Sequence, residues 1–250
     1  MSQPNKKERL DVLLVQAGLA PTRARAQALV LGGQVVVGEV RVDKPGTRVA
    51  VDAPLRLKGE VLPYVSRGGL KLRHALTHFG LGVEGSVAAD IGSSTGGFTD
   101  CLLQAGAVRV HAVDVGYGQL HEKLRADARV LSHERTNARF LTEAALGEAV
   151  DVLVVDVSFI SLTLVLPAVL PLLRPGGHLV ALVKPQFEVG KGQVGKGGVV
   201  RDEAARAAAV EKVARAATEL GLLVLGVTDS PLLGPAGNRE ALLAARKASG

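Results

Sequence analysis

The sequence predicts an α/β protein in which a small α+β segment precedes a doubly wound, mostly parallel sheet with an antiparallel last strand. Three observations lead to this prediction. Apolar strand-like runs alternate with helix-like segments over most of the 250 residues, 47% of the residues are hydrophobic, and a glycine-rich loop follows the first long apolar run. Such alternation is typical of parallel sheets that carry helices on both faces.

The composition excludes several classes of protein. Charged residues make up 22% and Cys101 is the single cysteine, which disfavours both disorder and a disulfide scaffold. The apolar runs are too short to span a bilayer, and the N-terminus lacks the apolar core of a signal peptide. We therefore expect a cytoplasmic protein with no membrane partner. The histidines show no metal-ligand spacing, so we expect no metal site.

Positive charge is concentrated at the start of the chain. Residues 1–75 contain 13 Lys or Arg and 6 Asp or Glu, whereas residues 76–250 contain 17 and 18. A basic segment beside a nearly neutral body predicts a module that binds a polyanion. The alternative is an ordinary solvated surface with a chance asymmetry.

The first elements in the chain are two helices followed by short strands. Apolar residues at helical spacing predict a helix over 10–17, and Thr22 is the predicted N-cap of a second helix that ends at Gly32 and Gly33. Arg23 and Arg25 lie in the first turn of that helix, where the helix dipole disfavours cations, and this cost suggests a functional role. Strands are predicted over 35–37, 40–42, 49–51 and 55–57.

The pattern T-R-x-x-A-x-x-L-V-x-x-G-x-V-x-V over residues 22–37 resembles the S-four (αL) RNA-binding domain. In that family the helix pair and the following turn bind the RNA backbone. Aromatic residues are scarce in this segment, which favours recognition of duplex shape over stacking on bases. The resemblance implies phosphate contacts, for which the candidates are Arg23, Arg25, Lys44 and Arg48, with Arg67 further along the chain.

Glycine and proline residues between positions 58 and 69 mark a boundary. We predict an RNA-binding domain over 1–60, a linker over 61–69 and a second domain over 70–250. In the second domain, strands apolar on both faces are predicted over 87–91, 108–115, 151–157 and 178–183. Helices are predicted over 97–105, 120–126, 160–173 and 203–220, and Pro167 and Pro171 are expected to bend or break the third of them. An antiparallel edge hairpin is predicted over 222–227 and 239–245.

The first long strand leads into the segment D-I-G-S-S-T-G-G-F-T-D over residues 90–100. Ligands of open parallel sheets bind at the carboxyl ends of strands, and glycines let the backbone approach a ligand closely. The spacing differs from G-x-G-x-x-G, which disfavours a nicotinamide oxidoreductase. An acid at the end of the second strand suits the ribose of an adenosine, so we expect S-adenosylmethionine rather than a turn without a ligand. Its predicted contacts are Asp90, Gly92, Ser93, Ser94, Thr95, Gly96, Gly97, Phe98, Asp114, Asn137 and Asp156. Asn137 is expected at the end of the third strand, facing the adenine.

A second glycine-rich segment, G-K-G-Q-V-G-K-G over residues 190–197, matches the start of a phosphate-binding P-loop. Its next position should be Ser or Thr to hold magnesium and is Gly197. We therefore interpret this segment as a mobile lid or a flap that contacts RNA.

Four charged residues stand at the ends of apolar elements in the second domain: Lys71, Asp156, Lys184 and Glu240. Their order resembles FtsJ-like RNA 2′-O-methyltransferases. Together with the basic segment, nearly the whole chain resembles the TlyA (hemolysin A-like) family of ribosomal RNA 2′-O-methyltransferases. The segments that carry this resemblance are 66–72, 90–100, 156–162 and 184–188. The resemblance implies a Rossmann-like class I methyltransferase fold, S-adenosylmethionine as cofactor, and ribosomal RNA or ribosomal subunits as partners.

The chemistry of 2′-O-methylation requires that a ribose hydroxyl lose its proton as the methyl group arrives. A free lysine is too basic for this at neutral pH, with a pKa of about 10.4. Our hypothesis is that Lys184 is the base or the hydroxyl-orienting group, that Asp156 holds it, and that Lys71 and Glu240 position the ribose. The cation of Lys71 and the sulfonium are expected to favour neutral Lys184. The alternative is a set of two surface salt bridges, Lys71–Glu240 and Lys184–Asp156.

Two alternative functions remain open from the sequence. One is a catalytically inactive RNA-binding or ribosome-assembly factor that keeps the methyltransferase fold. The other is a membrane-active haemolysin, because proteins of the resembled family carry that name. The apolar runs do not support membrane insertion.

Overall fold

The computed structural model describes residues 7–38, 40–58 and 63–249. The chain divides into two compact units, Met1–Val61 and Leu62–Gly250. Positions 59–62, which include the start of the predicted linker, lie outside the described residues.

The first unit consists of two helices and short antiparallel strands. Helix α1 (Leu10–Gln16) and helix α2 (Arg23–Leu31) pack together. The side chains between them are buried: Leu10, Leu14, Leu29 and Val30. The predicted cap of α2 is confirmed, because Thr22 Oγ1 accepts the backbone N–H of the third helical residue at 3.2 Å. The elements are β1 (Lys7–Arg9), α1 (Leu10–Gln16), α2 (Arg23–Leu31), β2 (Val35–Val37), β3 (Val40–Arg41), β4 (Arg48–Ala50) and β5 (Leu55–Leu57).

These strands form two small sheets rather than one. Strand β1 pairs with β4, and β2 lies between β3 and β5, all antiparallel. The sequence did not predict β1, whose three residues are all charged. Its extended conformation comes from pairing with β4, and the intrinsic strand propensities of its residues do not predict that pairing.

The second unit contains a seven-stranded sheet, counted over the described residues, with helices on both faces. Its strands are β6 (Val87–Ile91), β7 (Arg109–Val113), β8 (Val130–His133), β9 (Val150–Val155), β10 (Leu173–Val183), β11 (Leu222–Asp229) and β12 (Ala241–Lys247). Its helices are α3 (Gly68–Phe79), α4 (Gly97–Gln104), α5 (Glu122–Arg125), α6 (Glu143–Leu146), α7 (Leu162–Val169), α8 (Pro185–Glu188) and α9 (Glu203–Glu219).

The strand order is β11-β12-β10-β9-β6-β7-β8. The five strands from β10 to β8 are parallel, and β12 runs antiparallel to both of its neighbours. The predicted doubly wound sheet with an antiparallel last strand is therefore confirmed. The hairpin prediction is also confirmed, and the last strand inserts between β10 and the edge strand β11.

Alternating residues of the central strands supply the cores on the two faces of the sheet. In β9, Leu153 and Val155 pack on the side of α7 and α9, whereas Val152 and Val154 pack on the side of α3 and α4. This is why the strands are apolar at every position rather than at every second one.

The helix predicted over 160–173 is interrupted near Pro171, the second of its two prolines, as expected, whereas Pro167 lies inside the helix without ending it. The segment 160–173 forms a helix over Leu162–Val169 only, then one 3-10 turn, and β10 already starts at Leu173. Pro171 lies inside that 3-10 turn, and its ring cannot donate the backbone hydrogen bond that would continue an α-helix.

Candidate active site

The sheet brings the ends of four strands to one edge. Register pairs Ile91 of β6 with Val155 of β9, and Val155 with Ala181 of β10. Because β12 is antiparallel, its first residue, Ala241, lies beside Val183, the last residue of β10. The residues that follow β6, β9 and β10 and the residue that precedes β12 therefore emerge together.

The four charged residues form two ion pairs at this edge. The Nζ atom of Lys71 is 2.5 Å from Oε2 of Glu240, and Nζ of Lys184 is 2.5 Å from Oδ1 of Asp156. The side chain of Glu240 is fully buried, and both lysine side chains are 11% exposed. All four residues line one cavity of about 240 Å³. The two pairs predicted as the alternative thus form, but in a cavity wall rather than on an open surface.

This pairing corrects the expected electrostatics. Lys71 was expected to act on Lys184 as a second, uncompensated cation. Instead each lysine has its own carboxylate, so the charge of Lys71 is offset by Glu240. A hydroxyl that the sequence analysis missed completes the surroundings of Lys184, because its Nζ donates to Ser158 Oγ at 2.9 Å. The D-V-S-F segment contained the signal, two residues after Asp156.

The glycine-rich loop lines the same cavity. Gly92 and Gly96 both have left-handed backbone conformations, with φ of 87° and 94°. A Cβ atom on Gly92 would lie 2.3 Å from the backbone oxygen of Asp156, and one on Gly96 would lie 2.2 Å from Leu124 Cδ1. The protein's own packing therefore demands glycine at both positions, whereas the sequence suggested room for a ligand. Gly96 itself does not line this cavity. The other loop residues form its wall: Gly92, Ser93, Ser94, Thr95, Gly97 and Phe98.

Asp90 is a fully buried carboxyl group in this wall. Thr99 Oγ1 donates to its Oδ2 at 2.7 Å, and among the described residues its Oδ1 has no hydrogen-bond partner. Burial raises the pKa of Asp90 to about 7, and the carboxylate of Asp156 adds to this effect against the Thr99 hydrogen bond. A buried acceptor without a partner suits a ligand that carries an amino group.

A second cavity of about 380 Å³ shares Gly92, Ser94 and Asp156 with the first. Asp114 lies in its wall, and its two carboxylate oxygens accept the backbone N–H groups of Ser94 at 2.8 Å and Gly116 at 2.7 Å. These bonds fix the carboxylate and leave lone pairs for further donors.

Asn137 also lines the second cavity, but not at the end of a strand as predicted. Strand β8 ends at His133, and Asn137 caps a short 3-10 helix, Ala138–Phe140, through its Oδ1. The predicted end of the strand is therefore four residues too late, although the polar residues after His133 give no strand signal.

The predicted RNA contacts divide between the two units. Arg67 lies in the wall of the 240 Å³ cavity. Arg23, Arg25, Lys44 and Arg48 are exposed on the first unit.

The first unit also contains a residue that the sequence analysis missed. Asp11 is fully buried and accepts hydrogen bonds from Arg9, Arg23 and Gln27 at 2.9–3.0 Å. The hydrogen bond from Arg9 holds the pKa of Asp11 well below its usual range. The unfavourable position of Arg23 near the helix N-terminus is therefore offset by this carboxylate, and needs no functional explanation.

Among residues 7–38, 40–58 and 63–249, no group of three or more His, Cys, Asp or Glu residues has the arrangement of a metal site. Within the same ranges, none of the helices has the length and hydropathy of a transmembrane span. The segment 190–197 contains only a 3-10 turn at Lys191–Gln193 and lacks the strand-loop-helix arrangement of a P-loop.

Comparison with known proteins shows the family to which the chain belongs. The FtsJ-like methyltransferase family matches residues 64–247, and the S4 domain matches residues 8–53. The chain belongs to the FtsJ-like methyltransferase family. It is 49% identical over 239 residues to the 16S/23S rRNA (cytidine-2′-O)-methyltransferase TlyA of Mycobacterium tuberculosis, covering 95% of this chain and 89% of TlyA.

Two further relatives of this FtsJ-like chain carry another name. Hemolysin A of Brachyspira hyodysenteriae is 39% identical over 235 residues, which are 94% of this chain and 98% of that protein. A solved structure from Streptococcus thermophilus that bears a hemolysin name is 46% identical, with a TM-score of 0.77 over 99% of this chain and 90% of that one. The predicted resemblance to the TlyA (hemolysin A-like) family is therefore confirmed.

Proposed function

We propose that this protein transfers a methyl group from S-adenosylmethionine to the 2′-hydroxyl of a ribose in ribosomal RNA. The observation that carries the proposal is the placement of Lys184, with Asp156 and Ser158 on its ammonium group, in the wall of a cavity that the glycine-rich loop also lines. The named activity of the relative TlyA supports the reaction and the substrate class. Ribosomal RNA as substrate implies that the protein acts in the cytoplasm.

The residues around the two adjoining cavities fit S-adenosylmethionine. The unpartnered oxygen of Asp90 would accept from the amino group of the methionine part, and Asp114 would accept the ribose hydroxyls of the adenosine part. The loop 92–98 would enclose the cofactor between these two acids. When bound, the cofactor supplies a methyl group attached to a positively charged sulfur atom.

Lys184 acts on the hydroxyl that receives the methyl group. A protonated lysine has three N–H donors; one is donated to Ser158, and the carboxylate of Asp156 lies 2.5 Å from Nζ as the partner of an ion pair. We assign a remaining position on Nζ to the ribose 2′-hydroxyl. In the neutral amine this position is a lone pair, and there Nζ accepts the hydroxyl proton as the oxygen is methylated.

Lys71 and Glu240, which line the same cavity as Lys184, position the ribose. Glu240 Oε1 is buried and has no hydrogen-bond partner among the described residues, so it is available to a ribose hydroxyl. Arg67 lies in the same wall and would contact a neighbouring phosphate. The exposed basic residues of the first unit, Arg23, Arg25, Lys44 and Arg48, would bind the RNA backbone elsewhere.

The test is methylation of isolated ribosomal subunits by the full-length protein with S-adenosylmethionine, followed by mass spectrometry of the digested RNA. We expect a 2′-O-methylated nucleoside, and we expect Lys184→Ala to lower its rate of formation by about 100-fold or more, the usual scale of acid–base catalysis. The Kd for S-adenosylmethionine, measured by calorimetry, should stay within about threefold because Lys184 binds the substrate side.

The matched control is Arg215→Ala, which removes an exposed cation from α9, far along the chain from the proposed site. It should methylate at the wild-type rate. Methylation of a base instead of a ribose would contradict the proposal. Binding of S-adenosylmethionine without methylation of either subunit would favour the inactive RNA-binding factor.

A further inference from the structure

Glu188 is a buried acid close to the proposed catalytic lysine that the proposed chemistry does not use. It is the last residue of α8, the short helix that starts directly after Lys184. Its side chain is 1% exposed. Burial raises its pKa, against the opposing effects of its hydrogen bonds and of Lys212. A buried carboxylate is costly unless its oxygens are satisfied, so its partners indicate what it holds in place.

Both oxygens of Glu188 bind the loop that connects β9 to α7. Oε2 accepts from Ser161 Oγ at 2.5 Å, and Oε1 accepts from the backbone N–H of Leu162 at 2.7 Å. Ser161 is the N-cap of α7. The Lys212 ammonium group, from α9, donates to the backbone oxygen of Glu188 at 2.9 Å and lies 3.9 Å from Oε2. Glu188 thus joins the end of this loop to the segment that begins at Lys184.

The start of the same loop carries the partners of Lys184. Residues 156–161 connect β9 to α7, and the first of them, Asp156, donates its backbone N–H to Ile91 at 2.8 Å. Asp156 and Ser158 then contact Lys184, and the ring of Phe159 lies 5.2 Å from that of Phe187. The loop is therefore joined to the segment 184–188 at several points along its length.

The loop needs such support because its backbone is strained. Phe159 has φ of 65°, a left-handed conformation that is unfavourable for a bulky residue. Such a conformation persists only when the surrounding contacts determine it. The Ile91 hydrogen bond fixes one end of the loop, and Glu188 fixes the other.

We infer that Glu188 is a positioning residue for the methyl transfer, and this inference rests on the proposed function. Glu188 holds the loop 156–161 in the one conformation that presents both Asp156 and Ser158 to the ammonium group of Lys184. It acts through Lys184 and does not touch the ribose. Loss of Glu188 leaves Asp90 and Asp114 untouched but releases the loop 156–161, which lines part of the 380 Å³ cavity and holds the partners of the lysine.

A double-mutant cycle tests this coupling. We expect Glu188→Ala to slow single-turnover methylation of saturating ribosomal subunits by about tenfold, because small misplacements of a catalytic group are costly. In a Lys184→Ala background the same change should slow the residual reaction less than about twofold, since residues that act as a unit are not additive. Glu188→Gln keeps an acceptor for the Leu162 amide and should retain most of the rate. Equal losses in both backgrounds would overturn the inference.

A structural measurement keeps the inference testable even if the protein proves to methylate another substrate. Hydrogen exchange of the full-length protein should show faster exchange of the amides over 156–162 in Glu188→Ala. The matched control, Asp202→Ala, removes the side chain that caps α9 through the N–H groups of Ala204 and Ala205. It should lower the Tm without changing exchange over 156–162 or the methylation rate. If Glu188→Ala does not fold, Ser161→Ala weakens the same junction by removing the hydroxyl that donates to Glu188 and caps α7 at Thr163. Unchanged exchange over 156–162 in these variants would refute the role of Glu188 whatever the substrate.

Discussion

At the residue scale, the two lysine–carboxylate pairs differ in their burial. The Lys71–Glu240 pair lies deeper, because the Glu240 side chain is fully buried, whereas that of Asp156 is 24% exposed. A buried ion pair contributes little net stability, but breaking it leaves one charge without compensation. The Lys71–Glu240 pair is therefore better explained by function than by stability.

Because of this burial, removing one or both residues of the Lys71–Glu240 pair should affect the stability and the activity of the protein differently. Glu240→Leu leaves Lys71 without its counter-charge and should lower the free energy of unfolding by about 3 kcal/mol. The double variant Lys71→Met, Glu240→Leu replaces the pair by apolar side chains and should return to within about 1 kcal/mol of the wild type. Urea denaturation measures both.

We also expect the double variant to lose methylation even though it is stable. If the double variant were as unstable as Glu240→Leu, the packing of the site rather than the charge pair would determine stability. If it still methylated ribosomal RNA, neither residue would position the ribose.

At the scale of elements, the glycine-rich loop depends on close packing against α5. Gly96 is the residue before α4, with φ of 94°, and a Cβ there would lie 2.2 Å from Leu124 Cδ1. Gly80, which ends α3, also has a left-handed conformation with φ of 63°, but a Cβ there would meet no atom within 4 Å. A side chain would strain the backbone at both positions because φ is positive. Only at Gly96 would its Cβ also collide with a neighbouring side chain.

We therefore predict that Gly96→Ala is more damaging than Gly80→Ala. Gly80→Ala should cost about 1 kcal/mol of unfolding free energy, from strain alone. Gly96→Ala should cost about 1–3 kcal/mol more, because Leu124 must move in a packed core. It should also weaken binding of S-adenosylmethionine, measured by calorimetry. Equal costs at the two positions would show that Leu124 yields without loss.

Strands β7 and β8 carry a pH-sensitive contact. Nδ1 of the buried His111 is 3.0 Å from Nε2 of His133, and the other ring nitrogen of His111 is 3.2 Å from Glu148, which Arg109 also contacts. Burial, followed by the neighbouring His111, lowers the pKa of His133 below its ordinary value of 6.5. Burial and Arg246 lower the pKa of His178 in the same direction.

His133 and His178 should consequently lower stability on acidification below about pH 6.5, because the unfolded chain binds protons there that these two folded histidines do not. Asp90 acts in the opposite direction, because its raised pKa of about 7 lets the folded protein bind a proton between pH 7 and pH 5 that the unfolded chain does not. We predict that His133→Gln raises the Tm at pH 5 relative to the Tm at pH 7 when compared with the wild type, and that His178→Gln adds to this change. The control Arg215→Ala removes an exposed cation and no histidine, and should retain the wild-type slope of Tm against pH. An unchanged slope in His133→Gln would contradict this explanation.

At the scale of the whole molecule, cations proposed to bind RNA are concentrated in the first unit, and acids are proposed to bind the cofactor. The exposed cations of the first unit include Arg25 and Lys44, and the first 75 residues hold the positive excess of the chain. Contacts to phosphates release counterions, so each one adds to the salt dependence of RNA binding. The acids Asp90 and Asp114, which would hold the cofactor, lie in the second unit.

The double variant Arg25→Ala, Lys44→Ala should accordingly reduce the slope of log K against log salt concentration for ribosomal subunits by about 2. The Kd for S-adenosylmethionine should remain unchanged. Arg215→Ala should leave the slope at its wild-type value. A wild-type slope in the double variant would mean that these residues face solvent in the complex.

Much of this organisation was predictable because it depends on local pattern. The apolar runs identified the strands β6, β7, β9 and β10, and the charged residues at their ends identified Asp156 and Lys184. Elements that local pattern does not encode were missed or misplaced. The charged strand β1 exists only because β4 pairs with it, and strand β8 ends at His133, four residues before the predicted end.

The sequence by itself determined the class of fold, the two-part division of charge and the chemical groups that an RNA methyltransferase requires. Only the tertiary structure decided which of those groups meet. The antiparallel register of β12 beside β10 brings Glu240 to the edge where Lys184 emerges, and places Lys71 rather than Lys184 against Glu240. Contacts such as Lys71–Glu240 and Glu188–Ser161 join residues far apart in the chain. Their distances follow from strand order and packing, which no local stretch of sequence specifies.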